Sequence, residues 1–256
     1  MRVPRAFWPL AATVLVLAIW ELLVVLFGVK EVVLPSPIAI GRVIAAQHTL
    51  LMRHLWPTFY QTLLGFLLSV IGGVAVAVLI TYSRIASAAL YPLIVVSQII
   101  PKVSVAPLFV VWFGMGTTSR LMMAFLIAFF PMVINTAAGL ASVDENILRM
   151  GRAYMGSRSY IFWKIRLPHA TPSIFSGMKI SITLAVIGVI VSEFVAAQEG
   201  LGYLIVMANG LLDTPLMMAA ITGLSVMGLV LYGVIVAVER KIVYWQPPEH
   251  ARDGTA

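Results

Sequence analysis

The chain has 256 residues, of which 61% are hydrophobic and 11% are charged, and its formal net charge is +7. Because soluble domains carry about 25% charged residues, this composition excludes an ordinary soluble fold and indicates an integral membrane protein. The absence of cysteine excludes disulfides and thiolate chemistry, and four scattered histidines argue against a catalytic metal site.

A helix needs about 20 apolar residues to cross the hydrocarbon core of a bilayer, and six segments of the chain meet this length. They run approximately from Phe7 to Phe27, Thr58 to Tyr82, Ala88 to Phe113, Leu121 to Leu140, Phe175 to Ala197 and Leu216 to Val238. We therefore predict an all-α membrane protein with about six transmembrane helices in one domain, residues 1–256. The first segment is too long for a removable signal peptide, and its Glu21 is expected to reach an interface or a neighbouring helix.

Prolines occur both in the connections between spans and within the spans. Pro35 and Pro37 open the segment LPSPIAIGRVIAAQHTLLMRHLWP between the first two spans, which we interpret as an interfacial helix on the outer surface. We expect the prolines inside or near the ends of spans to kink helices or to leave carbonyls without partners. These are Pro92, Pro101, Pro107 and Pro131.

The distribution of Lys and Arg predicts the orientation, because these residues favour cytoplasmic loops. With the N-terminus in the cytoplasm, four positive residues fall outside: Lys30, Arg42, Arg53 and Arg120. Twelve fall inside: Arg2, Arg5, Arg84, Arg149, Arg152, Arg158, Lys164, Arg166, Lys179, Arg240, Lys241 and Arg252. We therefore predict a multi-pass protein with both termini in the cytoplasm, and the positive charge needs no nucleic-acid partner.

A long basic connection, SVDENILRMGRAYMGSRSYIFWKIRLPHATPSI, separates the fourth and fifth spans over about residues 142–174. Its apolar spacing predicts two short amphipathic helices. We expect a break near Gly156, Ser157 and Ser159, and a stop at Pro168 and Pro172. This segment is either a docking surface for a cytoplasmic protein or an amphipathic loop resting on lipid headgroups.

Six short motifs, in order from about Leu34 to Trp245, carry a resemblance to a known family. They are LPSP, APLFVVWFGMG, FFPMVINTAAGLASVD, IRLP, SGMKIS and EGLGYLI. Together they resemble the permease subunits of bacterial ABC importers, in the nitrate, sulfonate and taurine branch. Against the family pattern, the usual glycine falls on Met155, one place before Gly156, and the usual acidic residue falls on Arg149.

The resemblance implies a transport subunit of the bacterial inner membrane, without catalytic residues or a cofactor of its own. Two permease chains, as a homodimer, would form the path, and two ATP-binding subunits holding ATP and Mg would dock on the cytoplasmic loops. An extracytoplasmic binding protein would deliver the solute: nitrate, a sulfonate such as taurine, or a small organic compound such as a pyrimidine or riboflavin. The implied ATPase-coupling residues are Arg149, Gly156, Arg158, Tyr160, Phe162, Trp163, Leu167 and Pro168, the last two setting the angle of return to the membrane.

Polar residues inside the spans are candidates for the translocation path, because ionisable groups there are costly. Lys102 either pairs with Glu193 or faces the path and meets an anionic substrate. Gln98, Ser97, Asn135 and Ser192 are expected to form hydrogen bonds between helices or to line the pore. Gly200 and Gly202, beside Tyr203, permit a tight re-entrant turn, which the resemblance places at the outer gate.

The sequence argues against two other classes of function, a secondary transporter and an intramembrane enzyme. A secondary transporter driven by an ion gradient predicts discontinuous helices and repeated halves, neither of which is evident in the sequence, and it leaves the basic connection unexplained. An intramembrane enzyme needs paired acids, a His-Glu-x-x-His motif or a serine with a base, and the spans contain none of these.

Overall fold

The computed structural model describes residues 7–155 and 157–245, and the regular structure of these residues is helical throughout. A 3₁₀ turn, Lys102–Val105, precedes α5, and a π-helical turn, Phe162–Arg166, links α8 to α9. The α-helices are α1 Phe7–Leu26, α2 Pro37–Ala46, α3 His48–Tyr82, α4 Arg84–Ile99, α5 Ala106–Phe113, α6 Thr117–Ala141, α7 Glu145–Met155, α8 Arg158–Ile161, α9 Leu167–Ala196, α10 Leu201–Gly210 and α11 Thr214–Ile242.

Four helical stretches are long and apolar enough to cross a membrane, and they correspond to the second, fourth, fifth and sixth predicted spans. They are α3, α6, α9 together with the turns before it, and α11. The helices begin before the second and fifth predicted spans, since α3 begins at His48 and α9 at Leu167. Helices continue past the apolar run because their polar ends remain hydrogen-bonded along the axis.

The third predicted span is not one continuous helix. It breaks after Ile99, and the helix ahead of the break and the helical segment Lys102–Phe113 are bent by 91°. Pro101 accounts for the break, because proline lacks an N–H and disfavours helical geometry in the residue before it. The hydroxyl of Ser104 donates to the Pro101 carbonyl at 2.7 Å, so this carbonyl keeps a partner. Counted as one span, the bent pair raises the number of candidate crossings to five.

The described residues form two compact units, of which the first contains residues 7–58 and 197–226. In this unit the helix predicted after Pro37 is observed only over α2, because the chain leaves helical geometry at Gln47 and the following residues belong to α3. Its position on the outer surface of the membrane stays a prediction. Ser36 caps α2 by accepting from the N–H of Ala39 at 3.2 Å. The carboxylate of Glu21 accepts from the N–H of Ile38 at 3.1 Å, which confirms that Glu21 reaches a neighbouring helix, at the end where a negative charge is stabilised.

The second unit contains residues 59–155, 157–196 and 227–245, and its centre is the packing of α6 against α9. Small residues allow this close approach, as is usual between helices in a membrane. A Cβ atom added at Gly177 would lie 2.9 Å from the Asn135 Cβ atom, and one added at Gly139 would lie 2.6 Å from the Ser173 Cβ atom. Gly65 of α3 packs against Ala124 of α6 in the same way.

Candidate functional site

The basic connection forms a helical hairpin, which we name the coupling hairpin and define as residues 145–155 and 157–166. Asp144 opens it by accepting from the N–H of Asn146 at 2.7 Å. After α7, Ser157 caps α8 by accepting from the N–H of Tyr160 at 3.1 Å. The predicted first helix and a break at Ser157 are therefore confirmed, while Ser159 lies inside α8 and Gly156 lies outside the described residues. The second predicted helix is not short, because α8 continues into the next helical turns.

The predicted stop at Pro168 and Pro172 is wrong, because the chain stays helical from α8 through the π-helical turn into α9. Pro168 is the second residue of α9, and Pro172 lies inside that helix. A proline inside an α-helix normally clashes with the carbonyl four residues earlier. The wider π-helical turn directly before Leu167 relieves this constraint for Pro168. The return from the hairpin to the membrane is thus continuous helix.

A small apolar core holds the two arms of the hairpin together. Val143, Leu148 and Ile161 are buried against one another, and Ile165 packs beside them. Gly151 allows the close contact of the arms, since a Cβ atom there would lie 2.8 Å from the Cδ1 atom of Ile165. The hairpin is therefore a folded unit rather than a loose loop.

Aromatic and arginine contacts attach the hairpin to the ends of two long helices. The ring of Phe162 meets Tyr82, at the end of α3, edge to face with centroids 5.8 Å apart. The Arg166 guanidinium lies 5.3 Å from the Tyr82 centroid, a cation–π distance. It also donates to the Leu140 carbonyl in the last turn of α6 at 3.4 Å. The hairpin is thus in contact with the ends of α3 and α6 and is continuous with α9.

Large apolar side chains remain exposed on the hairpin although it is polar overall. Ile147, Met150 and Tyr154 lie three and four residues apart on α7, which places them on one face. All three are exposed, Tyr154 at 83% of its surface, and Trp163 on the second arm is exposed at 61%. We name Ile147, Met150, Tyr154 and Trp163 the apolar face of the hairpin. The three α7 residues were not among the predicted contacts, although their spacing in the sequence would have identified them.

The remaining predicted coupling residues occupy several environments. Arg149 is exposed, with its Nε atom 3.8 Å from Glu145, and the same carboxylate accepts from Arg152 at 2.7 Å. Arg158 begins α8 and lines a cleft, whereas Tyr160 is exposed. Phe162 is half-buried against Tyr82, so it is an anchor of the hairpin as well as a candidate contact.

The charged candidates within the spans lie on different elements. The Lys102 ammonium is half-buried and lies 5.1 Å from the centroid of the Phe130 ring. Glu193 is buried in α9 with 2% of its surface exposed. The pairing of these two residues and the substrate contact of Lys102 both stay predictions.

Two of the four uncharged candidates form hydrogen bonds to their own helices, and the roles predicted for the four residues stay predictions. Asn135 donates to the Pro131 carbonyl at 2.8 Å, and Ser97 donates to the Ile94 carbonyl at 2.7 Å. Serine and asparagine in helices commonly form such bonds to a preceding turn. Gln98 is exposed, and the buried Ser192 hydroxyl has no hydrogen-bond partner among the described residues.

The predicted tight turn before Tyr203 is confirmed, and it is held by side chains of α3. Gly200 has φ +108°, a conformation that favours glycine, and its N–H donates to the Nδ1 atom of His54 at 3.2 Å. Thr58 accepts from the N–H of Leu201 at 2.9 Å, and the His54 and Tyr203 ring centroids are 5.7 Å apart. Gly202 is buried at the start of α10. The location of this turn at the outer gate stays a prediction.

Comparison with known proteins identifies the family of this helical membrane protein. Residues 65–244 match the family described as the inner membrane component of binding-protein-dependent transport systems. The chain belongs to this family and is a permease subunit of an ABC transporter rather than an enzyme. Permeases of this family work with an ATPase and a binding protein.

Two curated relatives and one solved structure illustrate the range of the family. The riboflavin transport system permease protein RibX of Chloroflexus aurantiacus is 36% identical, over 94% of this chain and 92% of its own length. The formylaminopyrimidine transport permease protein ThiX of Halalkalibacterium halodurans is 32% identical, over 94% of this chain and 97% of its own length. A chain of the inward-facing MetNI methionine ABC transporter has the same fold, with a TM-score of 0.67 and 19% identity, over 77% of this chain and 98% of that one.

Proposed function

We propose that two copies of this permease form the translocation path of an ATP-driven importer and that the coupling hairpin of each copy docks on an ATPase subunit. The observation that carries the proposal is the apolar face of the hairpin, which exposes three large side chains of α7 outside the candidate spans, together with Trp163 near the start of the helical stretch Arg158–Ala196. Such a patch is typical of a protein interface. Closure of two ATPases would pull the hairpins together and move α3, α6 and α9 as rigid bodies.

In this proposal the chain acts as one transmembrane domain with six spans and both termini in the cytoplasm. Besides the four long helices and the bent pair, α1 supplies the sixth span, because its 20 residues reach about 30 Å along a helix. ATP and Mg are bound by the ATPase subunits, and the permease itself holds no cofactor. The excess of Lys and Arg in the predicted cytoplasmic segments supports this orientation.

The proposed cargo is a small organic solute passed on by the binding protein. Relatives that share about a third of their residues with this chain are named for riboflavin and for formylaminopyrimidine, which favours a nitrogen heterocycle. A relative at 26% identity is named for taurine, and Lys102 would suit an anion of that kind. Isothermal titration of the binding protein with these compounds identifies the cargo.

The docking proposal is tested by placing charge on the apolar face. We expect the double variant Met150→Glu/Tyr154→Glu to insert in the membrane but to lose the ATP hydrolysis that the loaded binding protein stimulates. Burying a carboxylate at an apolar contact is unfavourable, so the ATPase should also no longer co-purify with this variant. The measurement is the ATPase rate of the complex in lipid nanodiscs, with and without loaded binding protein.

The matched control is Met150→Leu/Tyr154→Phe, which keeps the face apolar and should keep coupling. If the glutamate variant still binds the ATPase and responds to the binding protein, the apolar face is not the docking surface. The alternative, in which the face rests on lipid headgroups, then becomes the better explanation of its exposure.

A further inference from the structure

A cleft of about 710 Å³ lies between the coupling hairpin and the junction of α3 with α4. Its lining is amphipathic, with buried aliphatic side chains of both elements, three hydroxyl groups and four arginines. The lining residues are Ile80, Thr81, Tyr82, Arg84, Ser87, Leu148, Arg152, Arg158, Ile161 and Arg166. A cleft of this volume is large enough to hold a small organic headgroup.

The cleft is strongly positive. Among the described residues no carboxylate lines it, although Glu145 offsets the charge of Arg152 from outside at 2.7 Å. Arg166 is held by Tyr82 and by a carbonyl of α6. Within residues 7–155 and 157–245, Arg84 and Arg158 have no ion-pair partner, so their guanidinium groups are available. Arginine binds phosphate through parallel N–H donors.

The surroundings of the cleft are those of a membrane surface. Tyr82, which lines the cleft, forms an aromatic pair with Phe162, and aromatic side chains are enriched at the level of lipid headgroups. Ile85, directly after Arg84, is exposed at 84% of its surface, which positions an apolar side chain beside the arginines. A ligand with a phosphate and an apolar tail matches this arrangement better than an acidic peptide does.

The docking face and the cleft use different sides of α7. Arg152, which lines the cleft, is five residues after Ile147 and two before Tyr154. At 3.6 residues per turn, these spacings place Arg152 about 140° to 160° around the helix from the other two. An ATPase on the apolar face would therefore leave the cleft open to a second ligand.

We propose that this cleft binds the phosphate group of an anionic phospholipid, such as phosphatidylglycerol, with Arg84 and Arg158 as its principal ligands. Bound there, the lipid would bridge the end of α3 and the coupling hairpin. It would stabilise the hairpin in its place under the membrane, and the composition of the bilayer would then affect coupling. Basic pockets at the cytoplasmic ends of membrane helices are known to select anionic headgroups.

The test uses the purified permease without ATPase subunits, in nanodiscs of phosphatidylcholine alone or mixed with phosphatidylglycerol. A ligand that binds the folded state raises the melting temperature, so we expect a higher Tm in the mixed nanodiscs. Arg84→Gln/Arg158→Gln should abolish this increase and weaken retention of phosphatidylglycerol in native mass spectrometry about tenfold or more. Its Tm in phosphatidylcholine should equal that of the unmodified chain, since neither side chain has an ion-pair partner among the described residues.

The control Arg240→Gln/Lys241→Gln removes two charges in the last turn of α11 that do not line the cleft, and it should keep the response to phosphatidylglycerol. Equal losses in both double variants would show a general charge effect and overturn the proposal. An equal Tm increase from inorganic phosphate in phosphatidylcholine would assign the cleft to free anions. Expulsion of phosphatidylglycerol on addition of the ATPase would assign the cleft to the ATPase. Either result rejects the lipid without affecting the docking proposal.

Discussion

Gly188 shows how single residues set the distance between the central helices. A Cβ atom there would lie 2.8 Å from the Ala124 Cα atom and 3.0 Å from the Met123 carbonyl oxygen. Both are backbone atoms of α6 and cannot turn away. We therefore predict that Gly188→Ala lowers the free energy of unfolding by about 1–3 kcal/mol, measured as a lower Tm in detergent.

The matched control is Gly228→Ala in α11, where an added Cβ atom meets nothing within 4 Å. It should leave the Tm unchanged or raise it slightly, because alanine is the better helix former. If the Gly188→Ala variant has the same Tm as the unmodified chain, the close packing of α6 and α9 is contradicted.

For the small polar residues in the spans, the sequence predicts that a hydrogen-bond partner is needed but not which partner is used. The residue type predicts that each hydroxyl or amide needs a partner inside the membrane. Asn135 and Ser97 find theirs within one turn of their own helix, whereas Ser181 donates to the Ala128 carbonyl of the neighbouring α6 at 2.8 Å. The choice between these partners depends on how closely a second helix approaches, which no local pattern contains.

At the scale of elements, an ion pair connects α9 to α11. The Lys179 ammonium lies 2.8 Å from the Glu239 carboxylate, and the two side chains are only 16% and 19% exposed. Removing one partner leaves the other charge partly buried. We predict that Lys179→Met and Glu239→Gln each cost about 1–3 kcal/mol, between the values for exposed and fully buried pairs.

A double-mutant cycle in detergent checks this prediction. The variant Lys179→Met/Glu239→Gln removes both charges and should cost less than the sum of the single variants. Strictly additive losses would mean that the two side chains act independently and that the pair does not hold α9 against α11.

For the third predicted span, the sequence identified the apolar segment but not its conformation. Its apolar run was evident, and prolines were expected to disturb it. The 91° bend at Pro101 was not predicted, while Pro92 and Pro131 lie inside continuous helices. A discontinuous helix was the feature expected of a secondary transporter, but the family match assigns the chain to the ABC permeases.

For the whole molecule, the bent pair determines which side of the membrane each loop occupies. The chain contains no cysteine, so single cysteines can be labelled without further changes. Val33 and Ala153 are both exposed outside the candidate spans, with α3, the bent pair and α6 between them. We predict that an impermeant maleimide labels Val33→Cys from the outside and Ala153→Cys only from the cytoplasmic side.

Each alternative topology has its own labelling pattern. If the bent pair enters and leaves the membrane on one side, only two crossings separate the positions and both are labelled from the same side. If the orientation is inverted, the two patterns are exchanged. Permeabilised cells, in which both cysteines should react, provide the control for accessibility.

By itself, the sequence determined the class of the protein, its apolar helices and its polar hairpin, because hydrophobic length and charge are local properties that the bilayer selects directly. Only the tertiary structure decided that Pro101 breaks a helix while Pro168 does not, that the apolar face of α7 is left exposed, and that four arginines surround one cleft. These features depend on atoms brought together from distant parts of the chain, whose approach is set by packing rather than by neighbouring residues.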